Sequence, residues 1–343
     1  MTSPAFDLAS LCDATLLGAV RASMADLPAG TPVGVGLSAG ADSAMLTLHA
    51  AQVARERGLI LHGFHIHHGL LAQADGWRVQ AHALAALLQI SCHSRCVQVN
   101  VAGQGIEAAA REARYAALAD LAALAGVQHL LLAHHQDDQA ETVLLRLLRG
   151  AGPLALAAMV PEIQRDGLWY RRPWLLQPRS RMLACARRFA EATGWQPVQD
   201  PSNGDVRYAR GVLRTELAPI LDTRWPAWRQ TLARHARQAA ELSGWMDETA
   251  RQEWSQVDVS ADGLSFSLLA WRNLPASHQG LLLRHWLRQQ GLRMPTEARL
   301  QAWLRQLRGV HALGYDRHVR LQHGDAWIVV QRGRVALVRG LED

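Results

Sequence analysis

A chain of 343 residues has room for two or three domains, and it contains no run of about 20 apolar residues that would span a membrane. The net charge is +6, the pI is about 9.7, and all 36 basic residues are arginine. Chemistries that need a protein lysine are therefore excluded: the Walker A phosphate loop, the Schiff base and the adenylyl-lysine intermediate. The arginine excess favours an acidic partner, nucleic acid first. Cys12, Cys92, Cys96 and Cys185 form neither a CxxC pair nor a zinc spacing, and the N-terminus lacks the basic-then-apolar order of a signal peptide. Both features suit a reduced, cytoplasmic protein.

Residues 1–28 read as a helix, apolar around Leu8, Leu11, Leu16 and Leu17. A strand-like run at 33–37 follows, then Ser38-Ala39-Gly40-Ala41-Asp42-Ser43, and a helical pattern over 43–57. Such a strand–loop–helix junction presents unpaired N–H groups and the positive end of a helix dipole to an anion. Ser38 and Ser43 add hydroxyl donors, and Gly40 allows close approach of the backbone. Asp42 would repel phosphates unless a divalent cation lay between them. The stretch is thus expected to hold a Mg-bound polyphosphate; the plainer reading is a helix N-cap of small residues.

Further strand-like runs at 59–66, 95–101 and 128–133 alternate with helical patterns at 75–90, 106–125 and 137–149. This alternation predicts an α/β fold, a doubly wound and mostly parallel sheet with ligands outside the carboxyl ends of its strands. Polar clusters follow the strand ends. His65-Ile66-His67-His68-Gly69-Leu70 reads as a loop lining a nucleotide pocket rather than a metal site, because alternation sets His68 apart from His65 and His67. Glu107, Arg111 and Arg114 share one helical face, either as a solvated charge ladder or as contacts to a phosphate or RNA backbone. Ala133-His134-His135-Gln136-Asp137-Asp138-Gln139-Ala140-Glu141-Thr142 opens a helix with three carboxylates. These either serve the helix dipole or hold a cation, Mg²⁺ or an amine. Arg146 and Arg149 lie one turn apart farther along.

After Gly150-Ala151-Gly152-Pro153 come an Arg/Trp-rich segment (168–176), a helix near 179–193, a polar loop at 200–205 and a long amphipathic helix over 225–252. Helices at 277–290 and 296–308 and strands near 318–322, 326–331 and 334–338 complete the pattern. The expected domains are 1–220, a linker helix over 221–255, and a small α+β domain over 256–343. Trp225, Trp228, Trp245 and Trp254 read as core or interdomain packing.

Together these stretches resemble the PP-loop ATP pyrophosphatases, and within them the tRNA(Ile)-lysidine synthetases. Ser38 to Ser43 is similar to the Ser-Gly-Gly-x-Asp-Ser signature, His65 to Leu70 to His-x-Asn-His-Gly-Leu, and Glu107 to Tyr115 to Glu-Ala-Ala-Ala-Arg-x-x-Arg-Tyr. Ala133 to Thr142 is similar to Ala-His-His-x-Asp-Asp-Gln-x-Glu-Thr. Arg172-Pro173-Trp174-Leu175 and the Asp200–Arg214 segment resemble later motifs, and Met294-Pro295-Thr296 a feature of the second domain. Three residues depart from the pattern: Ala39 for a glycine, His67 for an asparagine, and Gly211 where asparagine often follows the arginine. Ending at Asp343, the chain is expected to do without the extra C-terminal domain that some longer members carry.

The resemblance implies that ATP adenylates the wobble cytidine of the CAU-anticodon tRNA(Ile), after which free L-lysine displaces AMP and gives lysidine. Ser38, Ala39, Gly40, Ala41, Asp42 and Ser43 would then bind ATP, with Asp42 on Mg²⁺. Asp137, Asp138 and Glu141 would hold the lysine amine, one of these carboxylates or His135 taking its proton. Arg111, Arg114, Arg146, Arg210 and Arg214 would face the tRNA. The alternatives are a tRNA thiolase, which usually needs paired cysteines, an amidotransferase-type synthetase without an evident glutaminase nucleophile, and a nucleotide-binding module.

Overall fold

The computed structural model describes residues 7–67, 69, 73–98, 106–310 and 319–340. Its contacts divide the chain into two compact units, residues 1–151 with 155–237 and residues 152–154 with 238–343. Among the described residues no helix is long and apolar enough to cross a membrane.

The first unit opens with α1 (Leu8–Leu11) and α2 (Ala14–Ser23), in place of the single helix predicted over 1–28. The Asp13 carboxylate breaks it by accepting from the N–H groups of Thr15 and Leu16, both at 3.0 Å, which caps a new helix. Then follow β1 (Pro32–Gly36), α3 (Ala41–Arg57), β2 (Ile60–His67), α4 (Ala74–Leu87), β3 (Ser91–Cys96) and α5 (Ile106–Leu124). β4 (His129–Leu131), α6 (Gln136–Leu148), β5 (Glu162–Arg165), β6 (Leu168–Arg171) and α7 (Arg179–Thr193) complete the α/β part. β3 begins four residues before the predicted run. It is the edge strand and only partly buried, so it carries no apolar run to mark it. The β5–β6 hairpin is absent from the predicted elements, although Asp166-Gly167, with φ of 52° and 79°, is a favourable two-residue turn.

The sheet order among the described residues is β3-β2-β1-β4-β6-β5, parallel except for β5. The chain leaves β1 toward β2 and β3, then crosses to β4 on the other side of β1. The connections therefore diverge between β1 and β4, and a crevice opens outside their carboxyl ends. Gly34 makes β1 fit its neighbours, because a Cβ there would lie 2.7 Å from the Phe64 ring and 2.8 Å from Leu130 Cδ1. One face of the sheet packs α2, α3, α4 and α7 through Leu16, Leu46, Leu84 and Phe189. The other packs α5 through Tyr115 and Leu118 against Phe64, Leu130 and Tyr170. Trp174 is fully buried and donates its indole N–H to the Leu16 carbonyl at 3.1 Å, which anchors the segment leading into α7.

Beyond α7 lie α8 (Ala209–Val212), a π-helical turn at Leu213–Leu217, α9 (Ala218–Arg224) and α10 (Trp228–Trp254), which passes from the first unit into the second. Trp228 and Trp254 pack as predicted, but Trp225 and Trp245 are 62% and 72% exposed. The second unit adds β7 (Ser265–Ser267), α11 (Leu268–Arg272), α12 (Ala276–Gln289), α13 (Glu297–Gly309), β8 (Arg320–His323), β9 (Ala326–Gln331) and β10 (Arg334–Arg339). Its antiparallel sheet, in the order β7-β10-β9-β8, packs on a core of Phe266, Trp271, Trp286 and Trp303. The buried indoles of Trp271 and Trp286 donate to the Gln279 and Gly263 carbonyls at 3.1 and 3.0 Å, so neither N–H is left unpaired.

Candidate active site

The loop after β1 is folded on its own hydroxyls. Ser43 Oγ accepts from the Ser38 N–H at 3.1 Å and donates to the Gly40 carbonyl at 3.1 Å, and the two serine hydroxyls are 3.0 Å apart. His65 Nδ1 donates to the Leu37 carbonyl at 2.9 Å, which fixes the end of β1. Gly40 is the N-cap of α3 and offers no side-chain cap, so the first turn of α3 keeps its N–H groups for a ligand. Ala39 is fully buried at φ +64°, where a side chain costs about 1–2 kcal/mol relative to glycine. The Val198 N–H donates to its carbonyl at 3.0 Å, and its methyl joins the main core, which together hold the strained geometry.

The start of α6 is built oppositely. His135 is its N-cap, with Nδ1 accepting from the Asp138 N–H at 3.3 Å while the Asp138 carboxylate accepts from the His135 N–H at 3.2 Å. In the neutral ring this capping box places the proton on Nε2, which lies 3.4 Å from Asp138 Oδ2 and 3.7 Å from Asp42 Oδ2. Burial pulls the His135 pKa down, but the surrounding carboxylates of Asp42, Asp138 and Asp137 outweigh it and leave the pKa raised. For Asp42, burial favours the neutral acid, yet His135 and Arg179 hold its pKa below the ordinary value, so it stays ionised.

Three guanidinium groups close on these acids. Arg214 Nε and Nη2 donate to Glu141 Oε1 and Oε2 at 2.7 and 2.8 Å, and Nη2 lies 3.4 Å from Asp138 Oδ1. Arg179 donates from Nε to both Asp42 oxygens at 3.3 and 3.2 Å, and its backbone N–H donates to Asp137 Oδ1 at 3.0 Å. Arg229 Nε lies 3.0 Å from Asp137 Oδ2, with its guanidinium over the Trp228 ring. Arg229 is shared with Asp222, which accepts from both of its terminal nitrogens, so five carboxylates face three guanidiniums, a negative balance that favours the cationic form of His135. Sequence reasoning missed Arg179 and Arg229. Arg179 is 137 residues from Asp42, and only its place after Pro178 at a helix start marked it.

The other expected residues divide. Arg210 Nη2 donates to Thr142 Oγ1 at 3.2 Å and stays beside the acids. Arg146 is turned onto the carbonyls of Ala155 and Ala158, the latter at 3.3 Å, and so ties down the turn after α6. Arg111 is exposed and lies over Tyr115, with Nη2 3.3 Å from its hydroxyl. Burial, reinforced by the charges of Arg172, Arg111 and Arg114, drives the His134 pKa well below its ordinary value. The imidazole is therefore held neutral. His67 Nε2 is 3.5 Å from Asp75 Oδ1. His68, Leu70 and the Glu107 side chain lie outside the described residues. Among the described residues, no group of three or more histidine, cysteine or acidic side chains is placed to hold a metal by itself.

Family models match in two places, a PP-loop domain over residues 20–221 and a TilS substrate binding domain over residues 266–336. The tRNA(Ile)-lysidine synthase of Bordetella bronchiseptica is 52% identical over 335 residues, 97% of this chain and 97% of its own length. That of Ralstonia nicotianae is 44% identical over 306 residues, 86% of this chain and 64% of its own. Among solved structures, the U34-tRNA thiolase NcsA from Methanococcus maripaludis with its 4Fe-4S cluster aligns with a TM-score of 0.54. Its 16% identity over 66% of this chain and 78% of that one marks a shared fold and no more. With both domain matches and 52% identity over nearly its whole length, this chain belongs to the tRNA(Ile)-lysidine synthase family.

Proposed function

We propose that this chain ligates lysine to C2 of the wobble cytidine of CAU-anticodon tRNA(Ile) at the expense of ATP, a carbon–nitrogen ligase reaction that changes decoding from AUG to AUA. The cytidine O2 attacks the α-phosphorus of ATP, and the bond to pyrophosphate breaks. The lysine ε-amine, having lost one proton, attacks C2; the C2–O2 bond breaks and AMP leaves with the oxygen. The observation that most supports this reading is the meeting of two unlike helix starts. The open N-terminus of α3 suits a pyrophosphate leaving group, and the carboxylates of α6 suit an amine, with His135 Nε2 3.7 Å from Asp42 and 3.4 Å from Asp138 between them.

In this reading Ser38, Gly40, Ala41 and Ser43 grip the phosphates, and Asp137, Asp138 and Glu141 orient the amine. One of these carboxylates or His135 takes the amine proton. Asp42 fits Mg²⁺, which is bound by one or two carboxylates together with substrate phosphates; bound there, the ion would neutralise the departing pyrophosphate. Arg111, Arg114 and Arg210 are assigned to the tRNA side, and Arg146 to shaping the wall behind them. The thiolase alternative has only a likeness of fold behind it. The test is reconstitution with transcripts carrying CAU or a mutated anticodon, labelled lysine, and ATP. The expected result is one lysine incorporated per AMP and pyrophosphate released, with the CAU transcript alone. Lysine-independent AMP release, or label taken from a sulfur donor instead, would overturn it.

A further inference from the structure

Of the three carboxylates proposed to receive the amine, Glu141 is already paired with a cation. Glu141 is buried, and both of its oxygens accept from one guanidinium at 2.7 and 2.8 Å, the two-pronged geometry in which arginine binds carboxylates most strongly. The same Arg214 reaches Asp138 at 3.4 Å. The fork takes only one lone pair of each oxygen, but Glu141 is 6% exposed, so an ammonium group reaching these oxygens would lie buried against a like charge. The fork cannot leave for solvent alone, because a buried carboxylate stripped of its partner is strongly unfavourable. Arg214 must be exchanged, one cation for another, and it needs an anion to go to.

The structure supplies both the freedom and the destination. Arg214 lies in the π-helical turn Leu213–Leu217 between the short helices α8 and α9, and π-turns are an irregularity found often at functional sites. Arg214 Nη2 is 3.4 Å from Asp138, whose other oxygen is 3.4 Å from His135 Nε2, itself 3.7 Å from Asp42 in the first turn of α3, so phosphates held at that helix start lie just beyond its present partners. We infer that Arg214 is a placeholder: it occupies the amine site of the ligand-free protein and moves to the nucleotide phosphates, so that the amine site opens only after nucleotide binds. The inference rests on the assignment of the amine to Glu141 and adds an order of binding to it. It also explains why a protein that binds a polyanion keeps four carboxylates beside the loop: internal guanidiniums pair with them until the substrate cation takes over.

The experiment is calorimetric titration of L-lysine into the full-length protein, with and without Mg²⁺ and a non-hydrolysable ATP analogue. Wild type is expected to bind lysine at least about tenfold more tightly with the nucleotide present. Arg214→Gln is expected to bind lysine without nucleotide about tenfold more tightly than wild type does, and Arg214→Lys to fall between them. Equal lysine affinity of wild type with and without nucleotide would overturn the placeholder whether or not the variants fold. Weaker or unchanged lysine binding by a folded Arg214→Gln would also overturn it. Glu141→Gln separates the two layers: a raised lysine KM in this variant keeps the amine assignment even if the placeholder fails, and an unchanged KM removes both.

Discussion

The starts of α3 and α6 face the same crevice from adjacent strands and treat their exposed N–H groups in opposite ways. At α3 the cap is a glycine with no side-chain acceptor, and the nearby hydroxyls bond one another and the loop backbone. At α6 a histidine and an aspartate satisfy each other's backbone groups, and every carboxylate of the first turns has a cationic partner. A helix start left open is an anion site, whereas one capped and loaded with carboxylates is a cation site. The two starts meet where His135 Nε2 lies 3.7 Å from Asp42, and in the proposed reaction they would hold reactants of opposite charge.

The most severe way to break this comparison is to neutralise the anion side. Asp42→Asn is expected to lower AMP formation by about a thousandfold or more, the scale of losing a metal-supported charge clamp. In filter binding, tRNA affinity should stay within about twofold of wild type; turnover near normal would remove Asp42 from the phosphate site. Breaking the cation side comes next. Glu141→Gln is expected to reduce kcat/KM for lysine by about a hundredfold, seen mainly in the lysine KM, while the ATP KM stays put.

A third break is indirect. A Cβ on Gly211 would lie 1.9 Å from the Asp205 carbonyl oxygen, so only glycine allows α8 to pack against that backbone. The backbone of Asp205 and Val206 thus occupies the space a side chain at 211 would fill. Gly211→Ala is expected to cost about 1–3 kcal/mol in denaturant unfolding. It should also shift Arg210 and Arg214 from Thr142 and Glu141, lowering lysine turnover more than ATP binding.

His135 links the two sites, and its charge has a definite pH sign. Its folded pKa is raised above 6.5, so its stabilisation is fully present below 6.5 and is lost as pH rises through the folded value. Wild-type stability should therefore fall with rising pH across that window, and His135→Asn should flatten the slope in denaturant melts at stepped pH. An unchanged slope would mean that the ring stays neutral.

Much of this was legible in the chain because it is local. The loop after β1 and the acids of α6 are runs of neighbours at strand–helix junctions, so their place at the carboxyl end of the sheet could be read from residue type and position. The doubly wound sheet followed from strand–helix alternation. What escaped were long-range pairings and weakly apolar elements. Arg179 and Arg229 reach the acids only through the packing of α7 and α10. Arg146 and Arg214, read from the sequence as facing RNA, turn inward onto a carbonyl and a carboxylate. β3 is a half-buried edge, and β7 spans only Ser265–Ser267, too short to set a period.

Ala39 gives the finest test of the anion side. At φ +64° alanine is strained by about 1–2 kcal/mol, which Ala39→Gly would relieve. Glycine also forfeits a fully buried methyl, about 0.8 kcal/mol, and adds about 0.5–1 kcal/mol of backbone freedom to the unfolded chain. These contributions nearly cancel, so the unfolding free energy should move by less than about 1 kcal/mol. The ATP KM should stay within about twofold, because the Val198 N–H continues to hold the carbonyl that sets the turn. Ala39→Val is the discriminating partner, since a β-branched side chain at positive φ is strained more than alanine. It should destabilise the chain and raise the ATP KM together while leaving the lysine KM unchanged. A rise in the lysine KM instead would mean that the two helix starts are mechanically one site.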